Sequence, residues 1–235
     1  MSAQTQIDTT RLAMVTHLES GAHDPSQGGA MCAMEAVAFV AGEPWSDHPT
    51  CTSPVIGAFM RSLNDGLPDA ERTALLLPLI PRLVGTRASA DVESRRATMA
   101  ADWLVREHTP AWLRLAGLTS QADALSALPE ITNFAQTPSL RGPLEAARTE
   151  AAAAGDAAGA AAGAAAWAAA RAAAGDAAGA AAWAAARAAA RAAAGDAAGD
   201  AARAAAWAKL EPTRIELQRS ALRLVERMIE LKDPA

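Results

Sequence analysis

Between Gly155 and Trp207 every fourth residue of this chain stands out against a background of alanine. The marked positions are Gly155, Gly159, Gly163, Trp167, Arg171, Gly175, Gly179, Trp183, Arg187, Arg191, Gly195, Gly199, Arg203 and Trp207. The residues between them are alanine except for Asp156, Asp176, Asp196 and Asp200, and a Gly-Asp step recurs every 20 residues. Alanine is the strongest helix former, so the tract from about Ala146 to Ala208 is expected to be almost entirely α-helical without tertiary help. Each glycine weakens that helix by about 1 kcal/mol relative to alanine. Gly-Asp is also the pairing of a helix stop and a helix start, with glycine at C′ and aspartate as N-cap. Two shapes follow. One is a continuous rod roughly 80–90 Å long; the other is a set of helices broken at each Gly-Asp and folded back or stacked. A four-residue mark drifts by about 40° per repeat around a straight helix, so Trp167 and Trp183 do not share a face and a strict coiled coil is disfavoured.

The 235-residue chain is 51% hydrophobic, but alanine inflates that figure and buries little area per side chain. The core must therefore come from residues 1–142 and from the segment after the repeat. Residues 1–142 carry 10 Arg and no Lys against 15 Asp and Glu, a net charge of −5, while residues 143–235 balance 11 basic against 11 acidic groups. Neither part has the basic excess that neutralises phosphates, so no nucleic-acid partner is expected. The N-terminus lacks the basic start and apolar stretch of a signal peptide. The longest strongly apolar run, Leu75 to Val84, is too short to span a bilayer. Two cysteines make no disulfide framework. A cytoplasmic protein with reduced thiols and no membrane contact is the expectation.

Helix signals dominate and no segment alternates as a strand. Asp8 caps a helix running to about Leu18. Gly29 to Ala41 reads as a second helix, stopped by Gly42-Glu43-Pro44. Ser53 with Pro54 opens a third, closed by Asn64-Asp65-Gly66. Asp69 to Val84 is apolar enough for a buried helix kinked at Pro78 and Pro81. Asp91 starts a longer helix ending near Thr109-Pro110, and shorter pieces follow at Ala111 to Leu115 and Gln121 to Leu128. Ile131 to Arg141 reads as a connector. After the repeat, Pro212 restarts a terminal helix, Thr213 to Leu231. Its stripe of Ala221, Leu222, Val225, Met228 and Ile229 needs a partner, either the globular domain or another copy of itself. Arg223 with Glu226 and Arg227 with Glu230 form i,i+3 pairs on the wet side.

The chemically versatile groups sit early in the chain. His23, Cys32, His48 and Cys51 are the four soft ligands a tetrahedral zinc site wants, and His48-Pro-Thr-Cys51 lets one loop supply two of them. The longer spacings match no standard zinc module, and Cys32 also reads as a small core residue. A thiol nucleophile is the other possibility. Gly28-Gly29-Ala30-Met31-Cys32 places a cysteine in the first turn of a helix, where the dipole favours thiolate. His48 or His108 is then the base, with Asp47 or Glu35 as orienter. Glu35 lies one turn after Cys32, with Asp24, Glu43 and Asp47 in the same stretch. Trp45 reads as a plug packing its loop onto the core. No glycine-rich phosphate loop is present, so no nucleotide cofactor is expected.

Two resemblances add to this. The stretch Met31-Cys-Ala-Met-Glu-Ala-Val-Ala-Phe-Val-Ala-Gly-Glu-Pro-Trp-Ser-Asp-His-Pro-Thr-Cys51, continuing through Ser53 to Asp65, resembles uncharacterised proteins of actinobacteria and their bacteriophages. Leu79 to Arg87 and Met99 to Arg106 are similar to the same group. The resemblance covers roughly residues 10–132 and implies a bacterial or phage setting but no particular activity. In composition the repeat resembles the alanine-rich helices of type I antifreeze proteins, though it lacks their regularly spaced threonines.

These readings combine into an all-α protein. Its parts are a helical globular domain over 8–142, an alanine-rich helical arm over 143–209 and an amphipathic C-terminal helix over 210–235. The expected function is non-enzymatic interaction or assembly, with a protein partner or a second copy engaged through the arm and the terminal helix. The alternative is a small metal- or thiol-dependent enzyme built on His23, Cys32, Glu35, His48 and Cys51, with zinc as the cofactor.

Overall fold

A computed structural model of the protein describes residues 7–26, 29–154 and 200–233. Among these the regular structure is entirely helical, with no strand. The choice between a rod and a broken arm falls on residues 155–199, which lie outside the described residues. No helix among the described residues is long and apolar enough to cross a membrane. The chain divides into two compact units. The first comprises Met1–Arg96 with Val225–Ala235, and the second Ala97–Leu224.

In the first unit α1 spans Thr9–Met14, with the Asp8 carboxylate accepting from the Thr10 and Arg11 amides. It stops short of the expected Leu18, and Val15 and Leu18 are buried in extended chain beyond it. The central helix is α2, Ala33–Ala41, buried on nearly every side and packed against α1 and against the helices over Pro54–Gly66 and Ile80–Leu83. It begins four residues later than the helical spacing of Met31, Met34, Val37 and Ala38 suggested, because Cys32 is its N-cap. Gly42 ends it in the left-handed conformation (φ 73°), returning its N–H to the Ala38 and Phe39 carbonyls.

Helix α3, Pro54–Gly66, has Ser53 as N-cap and proline in its first turn, and it runs through Asn64-Asp65-Gly66 rather than closing before them. Helices α4 (Asp69–Leu76) and α5 (Ile80–Leu83) are separated by a 3₁₀ turn over Leu77–Leu79. Proline accounts for that break, since Pro78 and Pro81 supply no N–H to a continuous ladder.

In the second unit α6 (Ala90–Trp103, which begins in the first) passes through a π turn, Leu104–His108, into α7, Thr109–Leu115. The helical path therefore crosses Thr109-Pro110 instead of ending there. Thr109 donates to the Leu104 carbonyl, the five-residue bond of a π turn. Pro110 has no N–H for the Arg106 carbonyl, and the Ser126 hydroxyl donates to it instead at 3.3 Å. Helix α8 spans Thr119–Ser126, and α9 spans Thr137–Ala154. The expected connector over Ile131 to Arg141 is thus partly helix. Its Leu140 joins Leu144 and Ala147 in a core with Val105, Leu113, Ala122, Leu125 and Ile131.

The last helix, α10, spans Asp200–Glu230 without interruption at Pro212, which sits inside it rather than at its start. Its apolar stripe is covered by this chain. Leu217, Ala221 and Leu224 are buried in the second unit, and Val225, Met228 and Ile229 in the first. Arg96 anchors the end of α10 within the first unit. Its guanidinium, almost wholly buried, donates to the carbonyls of Met228 (2.9 Å), Leu231 (2.7 Å) and Thr86 (2.6 Å) and pairs with Glu93 at 2.9 Å.

Candidate functional site

Apart from His108, the residues expected to carry chemistry fall in the first unit. Glu35 is 1% exposed, and an ionised carboxylate at such a depth must be fully hydrogen-bonded. Three donors reach it: the Cys32 amide (2.7 Å), the His23 amide (2.6 Å) and the His23 Nδ1 (2.9 Å). Cys32 Sγ accepts from the Glu35 N–H at 3.4 Å, so the two residues form a reciprocal capping box with a thiol in place of the usual hydroxyl. With Nδ1 donating to Glu35, the His23 Nε2 faces Glu19 at 3.9 Å. Trp45 donates its indole N–H to the His23 carbonyl at 2.8 Å, which fastens its loop at this point. The pair His23–Glu35 is therefore oriented on both sides by the local backbone.

The other candidates are placed apart from this pair. His48 is an exposed side chain bonded through Nδ1 to Asp47 at 2.6 Å. Cys51 is buried, with its sulfur 3.8 Å from the Thr52 hydroxyl, and burial raises its thiol above the ordinary value. Among the described residues no three His, Cys, Asp or Glu side chains are gathered so as to hold a metal ion. The fourfold set His23, Cys32, His48 and Cys51 is thus not assembled: the histidines face carboxylates of their own, and the Cys32 sulfur caps a helix.

The thiol expected to be activated at a helix start is itself buried and occupied as the N-cap of α2. Burial, with the neighbouring Glu35 charge adding to it, pushes the Cys32 thiol up to about 12 despite the Glu35 N–H that it accepts. His108 belongs to the second unit, where complete burial lowers it to about 3 and keeps the ring neutral. Its Nε2 accepts from the Trp112 indole at 3.3 Å, so Nδ1 carries the proton, and no acceptor for it occurs among the described residues.

The second unit carries the feature that best fits recognition, a cleft of about 520 Å³. One wall is the π turn and α7, presenting Arg106, Glu107 and Arg114; the other is α10, presenting Glu216, Ser220 and Arg223. The wall residues of α10 also include Thr213 and Leu217, so the spacing of three, four and seven residues marks one helix face. The buried Ser220 hydroxyl accepts from the Trp103 indole at 2.8 Å and donates to Glu107. Arg106 pairs with Asp102 at 3.0 Å and Arg114 with Asp123 at 2.9 Å. Glu216 and Arg223 are exposed and have no ionic partner among the described residues. The expected Arg223–Glu226 pair does not form, because Glu226 reaches Arg82 at 3.0 Å within the first unit.

No family model, curated protein or solved structure matches the chain. Sequence reasoning missed the cleft, since its seven charged or hydroxyl residues come from two segments about a hundred positions apart. The available local signal was the seven-residue spacing of Glu216 and Arg223 on a terminal helix otherwise read for its apolar stripe.

Proposed function

We propose that the protein is a non-enzymatic helical interaction and assembly protein that self-associates, engaging its partner through α10 and the alanine-rich arm. The observation that carries this reading is the division of labour on α10. One of its faces is buried in the chain's own core, while another opens on a cleft with two opposite charges that have no ionic partner among the described residues. A thiol held at about 12 and a carboxylate already taking three hydrogen bonds are poor tools for catalysis, which supports interaction over chemistry.

Solution mass across a concentration series tests the reading. Truncation before α10 is the wrong variant, since it removes Leu224, Val225 and Met228 from the core. Replacement of residues 155–199 by a glycine–serine linker of equal length isolates the arm instead. A reversible oligomer in the full chain is expected, and a monomer at every concentration rejects the proposal. Stoichiometric zinc in purified protein, lost in Cys51→Ser, would instead favour a metal-dependent enzyme.

A further inference from the structure

Building on the reading of the chain as a self-associating protein, we propose that the cleft beside α10 is an interface between two copies, each seating its α10 antiparallel in the cleft of the other. Glu216 and Arg223 are seven residues apart on the cleft face of α10, hence about 10.5 Å along its axis. Both are exposed and unpaired among the described residues. Two such helices running antiparallel about a two-fold axis near Ser220 set Glu216 of each copy against Arg223 of the other. The contact is self-complementary, as a closed two-fold interface requires. Parallel pairing in register would instead place like charge against like, so the charges select one orientation.

Shape agrees with charge. Between the two charges Ser220 is small and withdrawn onto Trp103 and Glu107 of its own chain, so no bulky side chain there opposes helix axes approaching to about 8–10 Å. The cleft between α7 and α10 accepts the ridge of an incoming helix, and by symmetry the first copy's α10 enters the opposing cleft. Leu115, at the rim, is 38% exposed and is one of two large apolar side chains left open among the described residues. A second copy over the cleft covers it.

Sedimentation of the full chain at low salt, with Glu216→Arg, Arg223→Glu and the double reversal, tests the pairing. A reversible dimer that weakens with added salt is expected. Each single reversal replaces two attractive contacts by two repulsive ones and should raise the dissociation constant roughly tenfold. The double reversal restores the complementary pattern and should return it to within about threefold of the wild-type value. Because both side chains are exposed, unchanged thermal unfolding certifies that the variants fold.

A dimer indifferent to the single reversals overturns the cleft interface. If that dimer is lost on replacing residues 155–199, the arm is the assembly surface and the broader function stands. Single reversals that weaken the dimer without rescue in the double variant overturn the antiparallel register. A wild-type chain that stays monomeric in every form overturns both this interface and the assembly function, leaving the cleft to another occupant.

Discussion

Burial governs the titration of Cys32 and His108, and in each case it favours the neutral form. An unfolded Cys32 ionises near 9 and the native residue only near 12. Its contribution to stability is therefore complete below 9 and is lost as pH rises from 9 toward 12. At pH 8 the native chain should react with iodoacetamide on the order of a hundredfold or more slowly than the urea-unfolded chain, as judged by mass spectrometry of modified thiols. Rapid native labelling of Cys32 would contradict the buried capping role. For His108 the folded value of about 3 lies below the ordinary 6.5, so the unfolded chain takes up a proton that the native chain does not. Stability is lost as pH falls from 6.5 toward 3, by up to about 1.4 kcal/mol for each pH unit. Urea midpoints measured across this range should fall more steeply for the wild type than for His108→Phe. Equal slopes would show that His108 is not the group responsible.

At the level of elements, the end of α10 depends on one buried guanidinium. The carbonyls of Met228 and Leu231 lie beyond the reach of further helical N–H donors, and Arg96 supplies the missing donors. Arg96→Met leaves those carbonyls and Glu93 without their partner, at a cost of about 3–5 kcal/mol by analogy with broken buried pairs. Arg96→Lys should recover little, because an ammonium cannot reproduce the planar fork that serves three carbonyls and a carboxylate. Guanidinium denaturation of the two variants checks this, and a loss below about 1 kcal/mol in Arg96→Met would refute it. The π turn is a second element with an identifiable cause. It precedes a proline, and the carbonyl that the proline abandons is taken by Ser126. The same turn directs Arg106 and Glu107 into the cleft while His108 stays inside.

For the whole molecule, the first unit is discontinuous in sequence, since its last eleven residues are separated from the rest by the entire second unit. A chain ending at Leu224 removes Val225, Met228 and Ile229 together with the acceptors of Arg96. It should lower the unfolding midpoint sharply and increase amide exchange in α2 and α5. Replacement of residues 155–199 by a flexible linker should leave the midpoint within a few degrees of the wild type. If the chain ending at Leu224 melts like the intact protein, α10 does not contribute to the first unit.

The sequence by itself determined the helical class and part of the punctuation of the helices. Asp8, Ser53 and Gly42 act at their own helix ends, through hydrogen bonds that reach only a few residues along the chain, and such short-range physics is legible in a string of letters. It also located Cys32 and Glu35 as neighbours, because they lie three residues apart at a helix start, whereas the approach of His23 to Glu35 from twelve residues away was decided by packing. Their chemistry was not legible, since a thiol at a helix start reads as activated until its burial is known. What only the tertiary structure decided depends on contacts between distant segments: Arg96 with Leu231, Trp103 with Ser220, and the two walls of the cleft. Those pairings arise because buried polar groups must find partners wherever packing brings them, and no local period encodes where that is.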